Sequence, residues 1–218
     1  MDIPAEWTFK SASVAEGFDH HVREQLPWYD LASGATAHIA RHYIQDRGLV
    51  YDVGASTGNF GRLLESTCKA RNARLIAIDS SENMIDRYSA FGEPVVSDAL
   101  DFDYETFDVC IMFLVLMFIP IRHRHELMRK VAQKIGKGGA LIVVDKVIPM
   151  HGWAGTIMRR LTLAGKVATS TPSEDIIAKE LSLAGYQRPV DETQISFLPG
   201  YAGSFFRFGE FAGWLVEG

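Results

Sequence analysis

Tyr51-Asp52-Val53-Gly54-Ala55-Ser56-Thr57-Gly58-Asn59-Phe60-Gly61 decides how the chain is read. The apolar run Leu49 to Val53 has the length and composition of a buried parallel strand. It breaks into glycines and small residues just before a helical stretch, Phe60–Lys69. Strand, tight turn and helix N-terminus therefore follow one another directly. Glycine permits positive φ and close backbone approach, and the free N–H groups that open the helix can hold the polar end of a ligand.

Which ligand is a matter of spacing. A dinucleotide loop reads G-x-G-x-x-G, and Ser56 stands where its second glycine belongs. A phosphate loop needs lysine after its last glycine, and Gly58 is followed by Asn59. What remains is D-x-G-x-x-x-G with an acidic residue ending the next strand: Asp79 closes Leu75-Ile76-Ala77-Ile78, twenty-one positions past Gly58. A carboxylate there can accept hydrogen bonds from both hydroxyls of a ribose. The pattern resembles the first two motifs of class I S-adenosylmethionine (SAM) dependent methyltransferases. The plainer alternative is an ordinary strand-turn-helix connection with a polar strand end.

Length and composition bound the rest. The 218 residues suit one α/β domain, with 47% hydrophobic and 22% charged content typical of a soluble globule. A net charge of −5 argues against a dedicated nucleic-acid binder, although a local basic patch could still serve as a contact. Cys68 and Cys110 lack metal-ligand spacing and read as buried thiols of a reducing cytoplasm. No signal peptide is read at the N-terminus, and the apolar run Val109 to Ile121 is shorter than the roughly 20 residues of a bilayer span. The expectation is a cytoplasmic protein without membrane or metal, with a small-molecule substrate; a homodimer is left open.

In chain order, Ser13–Gln25 and Leu31–Ile44 carry helical spacing on either side of Pro27. Strands are then expected at 49–53, 74–78, 94–97, 107–113 and 140–146, with helices at 59–70, 81–90 and 123–135 between them. Ser80 or Ser81 is placed to cap the second of these helices. Thr171-Pro172-Ser173-Glu174 reads as the cap of a helix through Leu183, and Thr193–Leu198 with Phe205–Val216 as an antiparallel hairpin. The fold expected is a Rossmann-like class I methyltransferase fold over 1–218: a seven-stranded, mostly parallel sheet with an antiparallel C-terminal hairpin. Residues 1–46 form a helical cap, and 147–172 an insertion over the active site. Ligands of such sheets lie beyond the C-terminal strand ends, where strand order reverses.

Asp98 ends the third strand, where its carboxylate can accept from an adenine amino group while the Ala99 backbone pairs with a ring nitrogen; this resembles the third methyltransferase motif. The fourth strand lacks the [DNS]-P-P-[YF] signature of base-modifying enzymes, and Phe113 and Leu114 offer an apolar wall instead. The basic run Arg122-His123-Arg124-His125 reads as a solvated helix face in preference to a nucleic-acid contact.

A narrower likeness runs through most of the chain. Trp7-Thr8-Phe9, Phe18-Asp19 with Val22, Pro27 with Tyr29, Val50-Tyr51-Asp52, Ser81 with Met84-Ile85, Gly138-Gly139-Ala140-Leu141 with Lys146, and Ala184-Gly185 are similar to the CmoA-type carboxy-SAM synthases. The resemblance implies that Tyr29, Gly54, Ala55, Ser56, Asp79, Ser80, Asp98 and Ala99 hold SAM or carboxy-SAM; Gly58, Met84 and Phe113 are further candidates for the same cofactor site. Phe113 departs from it, standing where the family carries an asparagine. The family's arginine for the product carboxylate, in a Q-K-R-S stretch, is also missing; Arg159, Arg160 and Arg207 are the candidates to replace it.

Methyl transfer from a sulfonium is an in-line displacement whose main demand is alignment. An oxygen or protonated nitrogen acceptor adds the need for a base, and His151 and Tyr29 are the candidates, with His20 and His21 beside them. The leading expectation is methyl transfer to an unidentified small acceptor. Behind it stand a carboxy-SAM synthase drawing on a prephenate-like donor and a SAM-binding module without catalysis.

Overall fold

A computed structural model describes residues 8–9 and 15–218, so the start of the helix expected from Ser13, and Trp7 beside Thr8, lie outside the described residues. Helices α1 (Phe18–Gln25) and α2 (Tyr29–Tyr43) precede β1 (Leu49–Val53). The alternation continues through α3 (Asn59–Ala70), β2 (Arg74–Asp79), α4 (Glu82–Ile85), β3 (Glu93–Val96), β4 (Phe107–Phe113), α5 (Ile121–Ala132) and β5 (Ile135–Lys146). Helices α6 (Gly152–Ala168), α7 (Ser173–Ser182) and α8 (Thr193–Ser196) lead to β6 (Tyr201–Phe208) and β7 (Phe211–Glu217).

The seven strands lie in the order β3-β2-β1-β4-β5-β7-β6. The five from β1 to β5 are parallel, and β7 enters antiparallel between β5 and β6. Chain direction across the sheet reverses between β1 and β4, so a crevice opens above their C-terminal ends.

Strand residues alternate between two cores. Tyr51, Val53, Ile78, Cys110, Met112, Leu141 and Val143 face α5 with its Leu127, Met128 and Val131. Val50, Leu75, Ala77, Val109, Ile111, Ile142 and Val144 face the other way, onto Ala32, Ala37 and Ala40 of α2 and Phe60 and Leu64 of α3. Both faces are covered, which is why these strands read as continuous apolar runs.

Three expectations shift. The helix expected over 81–90 stops at Ile85; the Tyr88 hydroxyl donates to the Phe91 carbonyl at 2.6 Å, folding the chain back toward β3. Thr193–Leu198 is not a strand: Thr193–Ser196 is one helical turn, started where Asp191 accepts the Thr193 N–H at 2.9 Å and its hydroxyl at 2.7 Å. The hairpin forms between Tyr201–Phe208 and Phe211–Glu217, turning at Gly209 with φ 55°. The cap of α7 is Pro172, with no side-chain bond, because the Thr171 hydroxyl is engaged with Thr169.

The basic start of α5 is not uniformly solvated either. Arg124 is 1% exposed and turns inward. Its guanidinium donates to the carbonyls of Ile119 (2.9 Å), Pro189 (2.9 Å) and Arg188 (2.7 Å), tying the loop after β4 to the segment after α7. A guanidinium spreads five donors over three nitrogens in a rigid plane and so reaches carbonyls on separate segments, whereas a lysine offers its three from a single nitrogen. Arg124→Met should lose about 2–4 kcal/mol of unfolding free energy in urea, with Arg124→Lys recovering less than half of it. A loss below about 1 kcal/mol for the methionine variant would contradict this role.

Candidate active site

The loop after β1 is held by backbone bonds before any ligand is considered. The N–H groups of Gly54 and Ala55 donate to the Ile78 carbonyl at 2.7 and 3.0 Å, folding the turn over the end of β2. Gly54 has φ 74° and Ser56 φ 50°, so the turn passes twice through left-handed conformation. Asp79 fixes the second of these: its Oδ2 accepts the Ser56 N–H and its Oδ1 the Ser81 N–H, each at 2.9 Å. Ser81 in turn caps α4, and its hydroxyl donates to the Phe9 carbonyl at 2.6 Å.

Two further clamps shape the crevice. The Thr57 hydroxyl donates to Asp19 at 2.6 Å and Arg62 bonds the Thr57 carbonyl at 2.8 Å, fastening α1 to the glycine loop. Asp145, fully buried in β5, accepts the Leu116 N–H at 2.7 Å and so pins the turn that follows β4. Helices α6 and α7 roof the space, the Thr169 hydroxyl donating to the Glu24 carbonyl at the end of α1.

Together these enclose a cavity of about 400 Å³. Of the residues singled out from sequence, Tyr29, Gly54, Ala55, Ser56, Asp79, Ser80, Met84, Asp98, Ala99 and Phe113 all line it. The Phe113 ring packs 5.4 Å from both Tyr29 and Phe60, forming the apolar wall. Asp98 accepts the Leu100 N–H at 2.9 Å through one oxygen.

Five candidates lie elsewhere. Gly58 is not among the lining residues; with φ 99°, it is glycine because a Cβ would stand 2.6 Å from Ala90 Cβ and 3.0 Å from the Tyr88 ring. His151 is exposed ahead of α6. Arg159 and Arg160 lie on the outer face of that helix, Arg160 stacking 5.0 Å over the Trp153 ring. Arg207 is paired with Glu192 on the edge strand. Neither His151 nor any of these arginines lines the cavity. The other proposed base, Tyr29, is in place, but burial pushes its phenol well above the usual range, so it enters as a hydrogen-bond donor. His20 is exposed against Glu24, while His21 lines the cavity and is drawn down to about 4 by burial and the nearby Lys179 and Lys166.

The cations that do line the cavity are Lys146, Lys166 and Lys179, with Glu180 among them. Two of these had a sequence signal. Lys166 follows the cavity-lining Thr162 by one helical turn, and Lys179 occupies the buried stripe of α7 between Ile176 and Leu183, where a lysine at a core-facing position is out of pattern.

Asp52 is the other unexpected group. Only 2% exposed, it lines the cavity, and its Oδ2 has no hydrogen-bond partner among the described residues. Burial first, and the neighbouring Asp79 second, raise its carboxyl to about 7. Asn59 Nδ2, also at the cavity, is buried without an acceptor among the described residues. No group of ligands for a metal ion occurs among the described residues, and none of their helices is long and apolar enough to cross a membrane.

Residues 51–143 match the methyltransferase domain family. Over 220 aligned positions the chain is 30% identical to a carboxy-S-adenosyl-L-methionine synthase of Staphylococcus epidermidis, covering 96% of each chain. The chain belongs to the carboxy-SAM synthase family, within the class I SAM-dependent methyltransferases. Solved structures share the fold at low identity. The plantazolicin methyltransferase BpumL in complex with SAH matches at 14% identity and TM-score 0.62, over 94% of this chain and 89% of that one. The magnesium protoporphyrin IX methyltransferase of Synechocystis PCC 6803, with bound SAH, matches at 16% and 0.55, over 87% and 83%. The seven-stranded sheet with its reversed C-terminal hairpin is thus that of the superfamily, and the chain is a SAM-dependent transferase by family.

The packing role of Gly58 is open to a direct check. Gly58→Ala should cost about 1–3 kcal/mol in thermal or urea unfolding, through strain at positive φ and displacement of Ala90. A cost below about 0.5 kcal/mol would contradict it.

Proposed function

We propose that this family member binds SAM across the crest of the sheet and joins to its methyl carbon a carboxyl unit taken from a prephenate-like acid, yielding carboxy-SAM; the methyl carbon gives up a proton, and the donor loses its ring carboxyl and its ring hydroxyl to become an aromatic acid, the proton and hydroxide leaving as water. The observation that carries the reading is the division of one cavity: carboxylates of Asp52, Asp79 and Asp98 on the strand ends, lysines on the helical roof. The identity to a carboxy-SAM synthase over nearly the whole chain supports it.

The residues present fit the cofactor. The orphan acceptor of Asp52 and the orphan donor of Asn59 suit the ammonium and carboxylate of an amino-acid tail. Asp79, besides its bonds to the Ser56 and Ser81 N–H groups, lines the cavity with a carboxylate able to accept from a ribose. Asp98 stands at the end of β3 for an adenine amino group, with Ala99 beside it, and the Phe113, Phe60 and Tyr29 rings keep water from the reacting end. Bound there, SAM supplies a methyl carbon activated by the adjoining sulfonium.

A second reading is methyl transfer to a small acceptor that itself carries an acidic group. It is favoured by the absence of an arginine from the cavity lining among the described residues: Arg159, Arg160 and Arg207 all lie outside it. Mass analysis separates the two. The full-length protein incubated with SAM and prephenate should form a carboxylated nucleoside. SAM consumed only with a cell extract, to S-adenosylhomocysteine, would establish the second reading in its place.

The shifted carboxyl of Asp52 gives a pH test. Its folded value near 7 means the free site holds the neutral acid below that pH, whereas a cationic ligand prefers the carboxylate. SAM binding should therefore release a proton and tighten by about three- to tenfold between pH 6 and 7.5. In Asp52→Asn the pH dependence should vanish and affinity fall; an unchanged profile by calorimetry would sink this assignment.

A further inference from the structure

Strand order lays a nucleoside along the crest of the sheet. With Asp98 just past β3 placed for the adenine and Asp79 at the end of β2 for the ribose, the next strand ends belong to β1 and β4, each a step of about 4.8 Å further on. The sulfur, joined to the far side of the ribose, falls over these two. What closes β4 there is Phe113. Its ring stands 5.4 Å from that of Tyr29, the first residue of α2, at an interplanar angle of 82°. It stands 5.4 Å from that of Phe60, in the first turn of α3, at 61°. All three are buried, and all three line the cavity. Trp28 buttresses them, 6.4 Å from Phe113 and 4.7 Å from Phe211. Rings set at such angles make a corner, not a stack.

A sulfonium is a cation of a particular kind: it carries no N–H or O–H through which to form an ordinary hydrogen bond. Aromatic rings attract such a charge through their quadrupole, within about 6 Å of the centroid. They also set no nucleophile against the activated carbon, the Tyr29 phenol included, because burial keeps it protonated. S-adenosylhomocysteine differs from SAM by the loss of the methyl group and of the charge with it.

Resting on the SAM-binding reading above, we propose that Tyr29, Phe60 and Phe113 form a half-cage that reads the charge at sulfur, holding the sulfonium forms SAM and carboxy-SAM in preference to the neutral thioether. Phe113 determines the selectivity, since it is the ring common to both contacts. A cofactor spent by methyl loss is released, and a product that keeps its sulfonium is retained.

SAM and S-adenosylhomocysteine carry the same nucleoside and the same amino-acid tail, so Asp79 and Asp52 meet them alike and the ratio of their affinities isolates the sulfur. Calorimetric titration of each into the full chain should give the wild type about a tenfold or greater preference for SAM. Phe113→Leu should cut that ratio to within about threefold. Because leucine also removes packing against Phe60 and Trp28, a second series places at 113 phenylalanines bearing one, two and three ring fluorines, which keep the shape and drain the ring face of negative charge. SAM affinity should fall about two- to threefold with each fluorine, while S-adenosylhomocysteine stays within about twofold of its starting value. No preference in the wild type, a Phe113→Leu ratio equal to it, or a fluorine series in which the two ligands weaken together or neither weakens, overturns the half-cage and leaves the SAM reading standing. Failure of the wild type to bind either ligand overturns both.

Discussion

A single carboxylate at the end of β2 holds the ligand-facing backbone together. Asp79 accepts the N–H of Ser56 from the loop after β1 and the N–H of Ser81 from the start of α4. Two segments that would otherwise present unpaired donors to a cavity are joined by one side chain, each charge-assisted bond contributing on the order of 1.5–3 kcal/mol. Because Ser56 sits at positive φ, the bond also stabilises a conformation that a non-glycine residue adopts at a cost. The crest of the sheet is thus preformed, and the pocket's shape follows from it.

Around that crest, charge is arranged by layer. The strand ends contribute Asp52, Asp79 and Asp98, suited to a ligand that is cationic at sulfur and nitrogen, together with Lys146 at the end of β5, and the helical roof contributes Lys166 and Lys179. Between them lies an aromatic wall, Phe113 flanked by Tyr29 and Phe60, that excludes water and strengthens both halves electrostatically. The roof is itself fastened: α1 to the glycine loop through Asp19 and Thr57, and the end of α6 to α1 through Thr169.

The strand-turn-helix stretch, the acidic strand ends and the apolar runs made the parallel sheet legible from sequence alone, because doubly covered strands leave a period and composition that little else imitates. Most of the residues singled out for the cofactor came from motif spacing and family resemblance, and all but Gly58 line one cavity. What escaped was tertiary. Glycines at 58, 61 and 92 reflect the Tyr88 side chain, which a Cβ at any of the three would crowd. Their spacing resembles ligand chemistry while serving packing. Arginines were favoured as carboxylate ligands on chemical grounds, yet Trp153 and Glu192 hold two of them outside. Arg124 looked like part of a solvated run and became an internal strut, since its backbone partners lie about 65 residues away at Arg188 and Pro189. The hairpin was recognised and misplaced, Asp191 having organised the preceding residues into a helical turn.

The central claim is that Asp79 organises a preformed nucleoside site, and titration of SAM into Asp79→Ala by calorimetry tests it most directly. Loss of at least about a hundredfold in affinity, with the protein still cooperatively folded, is the result expected from removing a ribose partner and the anchor of Ser56 together. Affinity within about threefold of wild type would contradict it.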